Sequence, residues 1–120
     1  MNDRSTSVDD LRQLLRQFVD ERDWQSFHNP KNLAMSLAIE AAELMEHFQW
    51  LTPEEASQAA VDPDQREAIC DEIADCLAYV LAMANTIDID LSTELARKME
   101  KNAAKYPIET SRGRYDPPGK

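Results

Sequence analysis

Four acidic side chains stand where a helical protein would ordinarily keep apolar surface. Glu40 and Glu43 lie three residues apart inside "SLAIEAAELM", and Glu72 and Asp75 repeat the interval inside "AICDEIADCLAYVLAMA". A helix advances about 100° per residue, so residues three apart share a face. Like charges at that spacing repel, and taking them partly out of water costs more. A divalent cation answers both problems. Hard cations take oxygen ligands, and Mg²⁺ commonly combines a few carboxylates with water and substrate phosphates. Glu46 continues the first pair loosely. Spacing alone leaves two readings open: a metal site shared by two helices, or surface acids at the edge of a helix interface, satisfied by Lys or water. A di-iron or di-manganese carboxylate bundle would need Glu-x-x-His on two helices. Here Glu43 and His47 are four apart, and the second acidic segment has no His.

Aromatic residues follow the acids at a fixed interval. Trp50 comes seven residues after Glu43, and Tyr79 seven after Glu72. Seven residues is almost two turns, so on a continuous helix each ring lies near the acidic stripe. Such rings are either core residues, the commoner fate, or a platform on which a planar base stacks. Trp24, Phe27 and His28 in "DWQSFHNP" would add walls from a loop. Opposite charge gathers in "ARKMEKNAAKYP", with Arg97, Lys98, Lys101 and Lys105 around Asn102. Cations near a helix C-terminus are favourable in themselves, by a few tenths to about 1 kcal/mol. Beside a metal site the same groups become candidate phosphate ligands.

The elements that must position these residues are announced by their caps. Ser7 with Asp10 resembles a capping box, opening a helix of about Val8 to Asp23 with an apolar stripe of Leu11, Leu14, Leu15 and Phe18. Asn29 and Pro30 open a second helix to about Leu51. Thr52, Pro53 and Glu55 begin a short helix to about Ala60, and Asp62, Pro63 and Gln65 a long one to about Ile87. Asp90 or Ser92 caps a last helix ending near Lys105, where Pro107 stops it. The spacing therefore predicts an all-α bundle of four main helices and one short one. One domain over residues 1–106 and a tail over 107–120 with little order of its own are expected. The two longest helices are apolar around much of their circumference, which asks for neighbours on several sides, in another subunit as well as in the same one.

Composition narrows the function classes. The chain has 120 residues, 42% of them hydrophobic, and only two Gly, which favours helices over turn-rich sheets. A formal net charge of −10 argues against a general binder of nucleic-acid polymers, which must neutralise phosphates. No apolar run is long enough to span a membrane, and "MNDRSTSVDD" lacks the order of a signal peptide, so a cytoplasmic location is expected. Cys70 and Cys76, on one helix, would be separated by about 9 Å of rise, too far for a disulfide.

Taken together, "FVDERDWQSFHNPKNLAMSLAIEAAELMEHFQW", "DEIADCLAYVLAMA" and "KMEKNAAKYP" resemble the all-α nucleoside triphosphate pyrophosphohydrolases of the MazG-like superfamily, nearest the dCTP pyrophosphatase branch. The resemblance runs from about Leu11 to Pro107. It implies Mg²⁺ ligands and catalytic carboxylates at Glu40, Glu43, Glu72 and Asp75. It implies base recognition by Trp24, Phe27, His28, Trp50 and Tyr79, and phosphate contacts from Lys98, Asn102, Lys105 and Tyr106. It also implies dimers or dimers of dimers, with sites between subunits. Two departures stand out: Ile39 precedes Glu40 where many members have a second Glu, and Leu15 stands where eukaryotic members of the branch can carry His. The implied reaction is hydrolysis of a nucleoside triphosphate, such as dCTP or a modified pyrimidine deoxynucleotide, to monophosphate and pyrophosphate. Action on dUTP or another phosphoanhydride in the same fold, and a non-enzymatic helical interaction module, are the alternatives.

Overall fold

The five longer helices each begin at a side-chain cap, and the computed structural model, which describes residues 1–114, shows the bonds. Ser7 Oγ accepts from the Asp10 N–H at 3.0 Å, and the Asp10 carboxylate accepts from the Ser7 N–H at 2.9 Å, opening α1 (Val8–Glu21). After a 3₁₀ turn at Gln25–Phe27, Asn29 Oδ1 accepts from the Asn32 N–H at 2.9 Å and Pro30 begins α2 (Pro30–Glu46). Thr52 and Glu55 close a second capping box before α3 (Pro53–Val61). Asp62 caps α4 (Pro63–Ile87). Asp90, rather than Ser92, caps α5 (Leu91–Lys105). The described residues contain helices and turns and no strand, so the all-α expectation holds.

Three boundaries differ from expectation. Helix α1 stops at Glu21 instead of Asp23, because Asp23 adopts φ 54°, a left-handed step that a right-handed helix cannot contain. Helix α2 stops at Glu46 instead of Leu51. Beyond it the Phe48 N–H reaches Met45 O at 2.9 Å and the Leu51 N–H reaches Phe48 O at 2.9 Å, the tight i→i−3 pattern of turns. The reason lies downstream: Thr52 must be extended to cap α3, and a residue before proline disfavours the helical region. The segment expected to lack order contains one helical turn, α6 (Ile108–Ser111), started by Pro107. The rest of that expected tail, residues 115–120, lies outside the described residues.

The chain divides into two compact units, Met1–Asp88 and Ile89–Lys120. In the first, α4 is the spine. Helices α1, α2 and α3 all pack on it, α2 most extensively. Leu33 of α2 and Leu81 of α4 are almost fully enclosed, each burial stabilising by roughly 1.5–3 kcal/mol. Ala82 and Ala84 are buried too; their small size lets neighbouring helices approach closely. Asn85 ties α1 to α4: its Oδ1 accepts from Arg12 Nε at 3.0 Å and Arg16 Nη2 at 3.2 Å, and its Nδ2 donates to Arg12 O at 3.0 Å. Thr86 Oγ1 donates to His28 O at 3.2 Å and holds the loop before α2. Both cysteines are free thiols. No helix among the described residues is long and apolar enough to cross a membrane.

In the second unit α5 is closed by the Tyr106 N–H on Asn102 O at 2.8 Å. Arg97 is held on its own helix by Glu94, with Nη2 at 2.8 Å from the carboxylate.

Candidate active site

Packing α2 against α4 brings the two acidic pairs together. One carboxylate oxygen from each of Glu40, Glu43 and Glu72 lies within 4.8 Å of the others. Glu40 and Glu72 are half-buried, and the Oε2 atom of each is enclosed without a hydrogen-bond donor. Two ionised carboxylates cannot hydrogen-bond to one another; one must keep a proton, or a cation must sit between them. The Glu40 carboxyl is accordingly pushed up from 4.5 to about 7, first by the facing Glu72 carboxyl and then by desolvation. A hydrogen bond with Glu43 follows, then the negative charges of Glu43 and Asp75. Two enclosed carboxylate oxygens with no donor, from Glu40 and Glu72, with a third carboxylate in reach, make the all-oxygen donor set a hard divalent cation uses. The residues present therefore fit Mg²⁺.

Asp75 lies outside that triplet. It is exposed and turns to a neighbouring cavity of about 530 Å³. Tyr79, one turn further along α4, lines the same cavity, as do Trp24 and His28. Thus three of the five residues expected at a base share one hollow with one of the expected metal ligands. A smaller cavity of about 310 Å³ adjoins it, Leu15, His28 and Ala82 lining both.

The remaining expected residues belong to other elements. Trp50 is 87% exposed and lines neither cavity. The two-turn relation between Glu43 and Trp50 does not hold, because α2 has ended before Trp50; on the unbroken α4 the relation between Glu72 and Tyr79 does. Phe27 is 64% exposed, and its carbonyl accepts from Asn32 Nδ2 at 3.2 Å. Lys98, Asn102 and Lys105 stand at i, i+4 and i+7 along α5 of the second unit, with Tyr106 as its C-cap. Lys105 Nζ lies 5.6 Å from the Tyr106 ring centre.

Leu14, Phe18, Ala78 and Ala82 also line this cavity and were not read as site residues, Leu14 and Phe18 appearing in the sequence as part of the apolar stripe of α1; Leu15, which lines it too, stands where the resemblance allows a His. Leu14 and Phe18 are 48% and 45% exposed instead, and face the cavity. The available signal was the aromatic run Phe18, Trp24, Phe27 ahead of the first acidic pair.

Comparison with known proteins shows the family. A model of the MazG-like family matches residues 35–115, a stretch that contains both acidic pairs. Proteins named dCTP pyrophosphatase 1 are similar: the Bos taurus protein is 40% identical over 107 residues, covering 89% of this chain and 63% of that protein. The Homo sapiens protein is 38% identical over 106 residues, covering 88% and 62%. The chain thus spans somewhat less than two thirds of these relatives. Among solved structures, a pyrophosphatase from Archaeoglobus fulgidus superposes with a TM-score of 0.79 at 38% identity, over 89% of this chain and 98% of that one. The family match covers well over half of the sequence, and the chain belongs to the MazG-like family.

Proposed function

We propose that this protein is a Mg²⁺-dependent nucleoside triphosphate pyrophosphohydrolase acting on dCTP or modified pyrimidine deoxynucleotides. The observation that carries the reading is the contiguity of two features: an under-satisfied carboxylate cluster, and an aromatic-lined cavity that Asp75 opens into. The names of the similar proteins supply the substrate class.

Glu40, Glu43, Glu72 and Asp75 hold the cation. Bound there, Mg²⁺ supplies charge neutralisation for the phosphates and acidity for a nearby water. Trp24, His28 and Tyr79 flank the base and exclude water from its faces. The attacking water forms its bond to the α-phosphorus as the bond from that phosphorus to the α–β bridging oxygen breaks. The water's proton passes to a carboxylate of the cluster, and the electron pair leaves with pyrophosphate. Lys98, Asn102, Lys105 and Tyr106 supply charge and donors for the departing phosphates, a role that rests on the family resemblance.

The assembly is a dimer or a dimer of dimers. Met35, Ile39 and Met45 on α2, and Ile73 and Leu77 on α4, are roughly half exposed, an apolar surface that a second copy covers. Phe27 and Trp50, both largely exposed, then serve a neighbouring subunit's cavity. The work is sanitation of a cytoplasmic nucleotide pool.

The test is a panel of deoxynucleoside triphosphates with Mg²⁺, products separated by ion exchange, and light scattering for the mass in solution. Pyrophosphate with the monophosphate is the expected pair, pyrimidines fastest. Release of orthophosphate would sink the reaction assignment, and a monomer at micromolar concentration would sink the assembly.

A further inference from the structure

The wall of the larger cavity is built from two aromatic rings that packing alone does not fix. Phe18 and Trp24 remain 45% and 42% exposed, and Trp24 sits in the loop after α1. The loop returns to α1 because Asp23 takes a left-handed step, after which the Trp24 N–H donates to Val19 O at 3.1 Å. That bond anchors the Trp24 backbone and not its ring. The ring is met by Phe18 edge to face, with centroids 5.8 Å apart and planes at 75°. Phe18 is held in turn by Arg22, one turn along. The guanidinium carbon lies 3.8 Å from the Phe18 ring centre, and Nη1 donates to Phe18 O at 3.1 Å. A flat cation stacked on a ring and bonded to the same residue's carbonyl gives two points of attachment. The competing ion pair, Arg22 with Glu21 at 3.8 Å, is exposed and weak.

We infer that Arg22 is a positioning residue for the base: through Phe18 it sets the aromatic wall, Phe18 with Trp24, against which the base stacks. The inference rests on the proposed reading of the cavity as the base site. In this role Arg22 touches the aromatic wall and no carboxylate of the acidic cluster, so it acts on recognition of the base and not on bond cleavage. A residue that merely caps α1 would act otherwise, lowering stability without regard to the substrate's base.

The experiment compares the 120-residue chain with its variants Arg22→Ala, Arg22→Gln and Arg22→Lys, on dCTP and on 2-deoxyribose 5-triphosphate, which has no base. Gln keeps a donor for the Phe18 carbonyl and loses the flat cation, so it stays informative if Ala unfolds the loop; circular dichroism checks each variant. Ala and Gln are expected to raise KM for dCTP by roughly three- to tenfold with kcat nearly constant, and Lys by less. On the baseless triphosphate all four proteins should have the same kcat/KM. Equal losses on both substrates, or an unchanged KM for dCTP in folded variants, overturns the inference while the proposed reaction stands. A wild-type chain that hydrolyses neither substrate overturns the reaction, and this inference with it.

Discussion

Replacing Glu72 by Gln should release Glu40 from its raised pKa. In the metal-free protein Glu40 is pushed from 4.5 to about 7, and the facing Glu72 carboxyl is the largest cause. A group with a pKa of about 7 is about half protonated at neutral pH, whereas one at 4.5 would be about 0.3% protonated. Gln at position 72 removes a negative charge and presents an amide N–H that stabilises ionised Glu40, so the strongest upward influence becomes a downward one. Desolvation and Glu43 remain, so the midpoint should fall well below 7 without dropping under 4.5. Carboxyl ¹³C titration by NMR in EDTA, with Glu40→Gln to assign the resonance, reads this directly. A wild-type midpoint near 4.5, or one that Glu72→Gln leaves at about 7, refutes the reasoning.

The same shift fixes a sign for stability. The folded pKa of Glu40 lies above its unfolded value, so protonation favours the folded state. The contribution is fully present below about pH 4.5 and is lost as pH rises through about 7. Metal-free wild type should therefore lose thermal stability across that window relative to Glu72→Gln. Mg²⁺, which takes the proton's place, should raise Tm more at pH 8 than at pH 5. An equal Mg²⁺ effect at both values would mean that cation and proton do not compete.

Three further outcomes follow from other parts of the molecule. Glu43→Ala and Asp75→Ala should each lower turnover by roughly 100-fold or more while far-ultraviolet circular dichroism stays unchanged, because neither residue belongs to the buried core. Asn85→Leu should cost roughly 1–3 kcal/mol in urea unfolding, because it leaves the Arg12 carbonyl without the Asn85 amide and both arginines without their shared acceptor. Asp88→Gly should stabilise by about 0.5–1 kcal/mol, read as a Tm gain of a few degrees, because Asp88 closes α4 at φ 57°, where glycine escapes the Cβ clash.

What the sequence made legible was local. The starts of the five longer helices could be read, because an N-cap is a bond between residues two or three apart, as in Ser7 with Asp10 or Thr52 with Glu55, whereas α6 has no side-chain cap to announce it. The acidic pairs could be read for the same reason, since an interval of three fixes a shared face whatever the fold. Helix ends were harder. Nothing between Glu46 and Leu51 forbids a helix; α2 stops because the chain must straighten to cap α3. Trp50 was misjudged as a neighbour of Glu43 through that one boundary. Phe18 was harder still. Its spacing from Leu14 is that of any core stripe, and whether the stripe meets a helix or a hollow is decided by residues more than fifty positions away on α4.

Helix α4 resolves a conflict that the composition of the chain poses. A helix that carries charge next to charge is destabilised, yet this one must be the spine on which three others pack. The two demands are separated along its axis. Glu72, Asp75 and Tyr79 occupy its middle and face the cluster and the cavity. Leu81, Ala82, Ala84 and Asn85 occupy the last turns, where packing is tightest and α1 is bonded to it. Glu72 and Ala84 are twelve residues apart, a rise of roughly 18 Å, about two screening lengths in physiological salt. The acidic cluster is therefore free to be strained for its own chemistry. Neutralising it, by proton, cation or amide, should relax the middle of α4 and leave the Leu81–Asn85 packing as it is. Amide exchange in the two halves of α4 tests that separation: adding Mg²⁺ should slow the residues around Glu72 and leave those around Ala84 unchanged, and equal slowing of both would show the spine to be one cooperative unit.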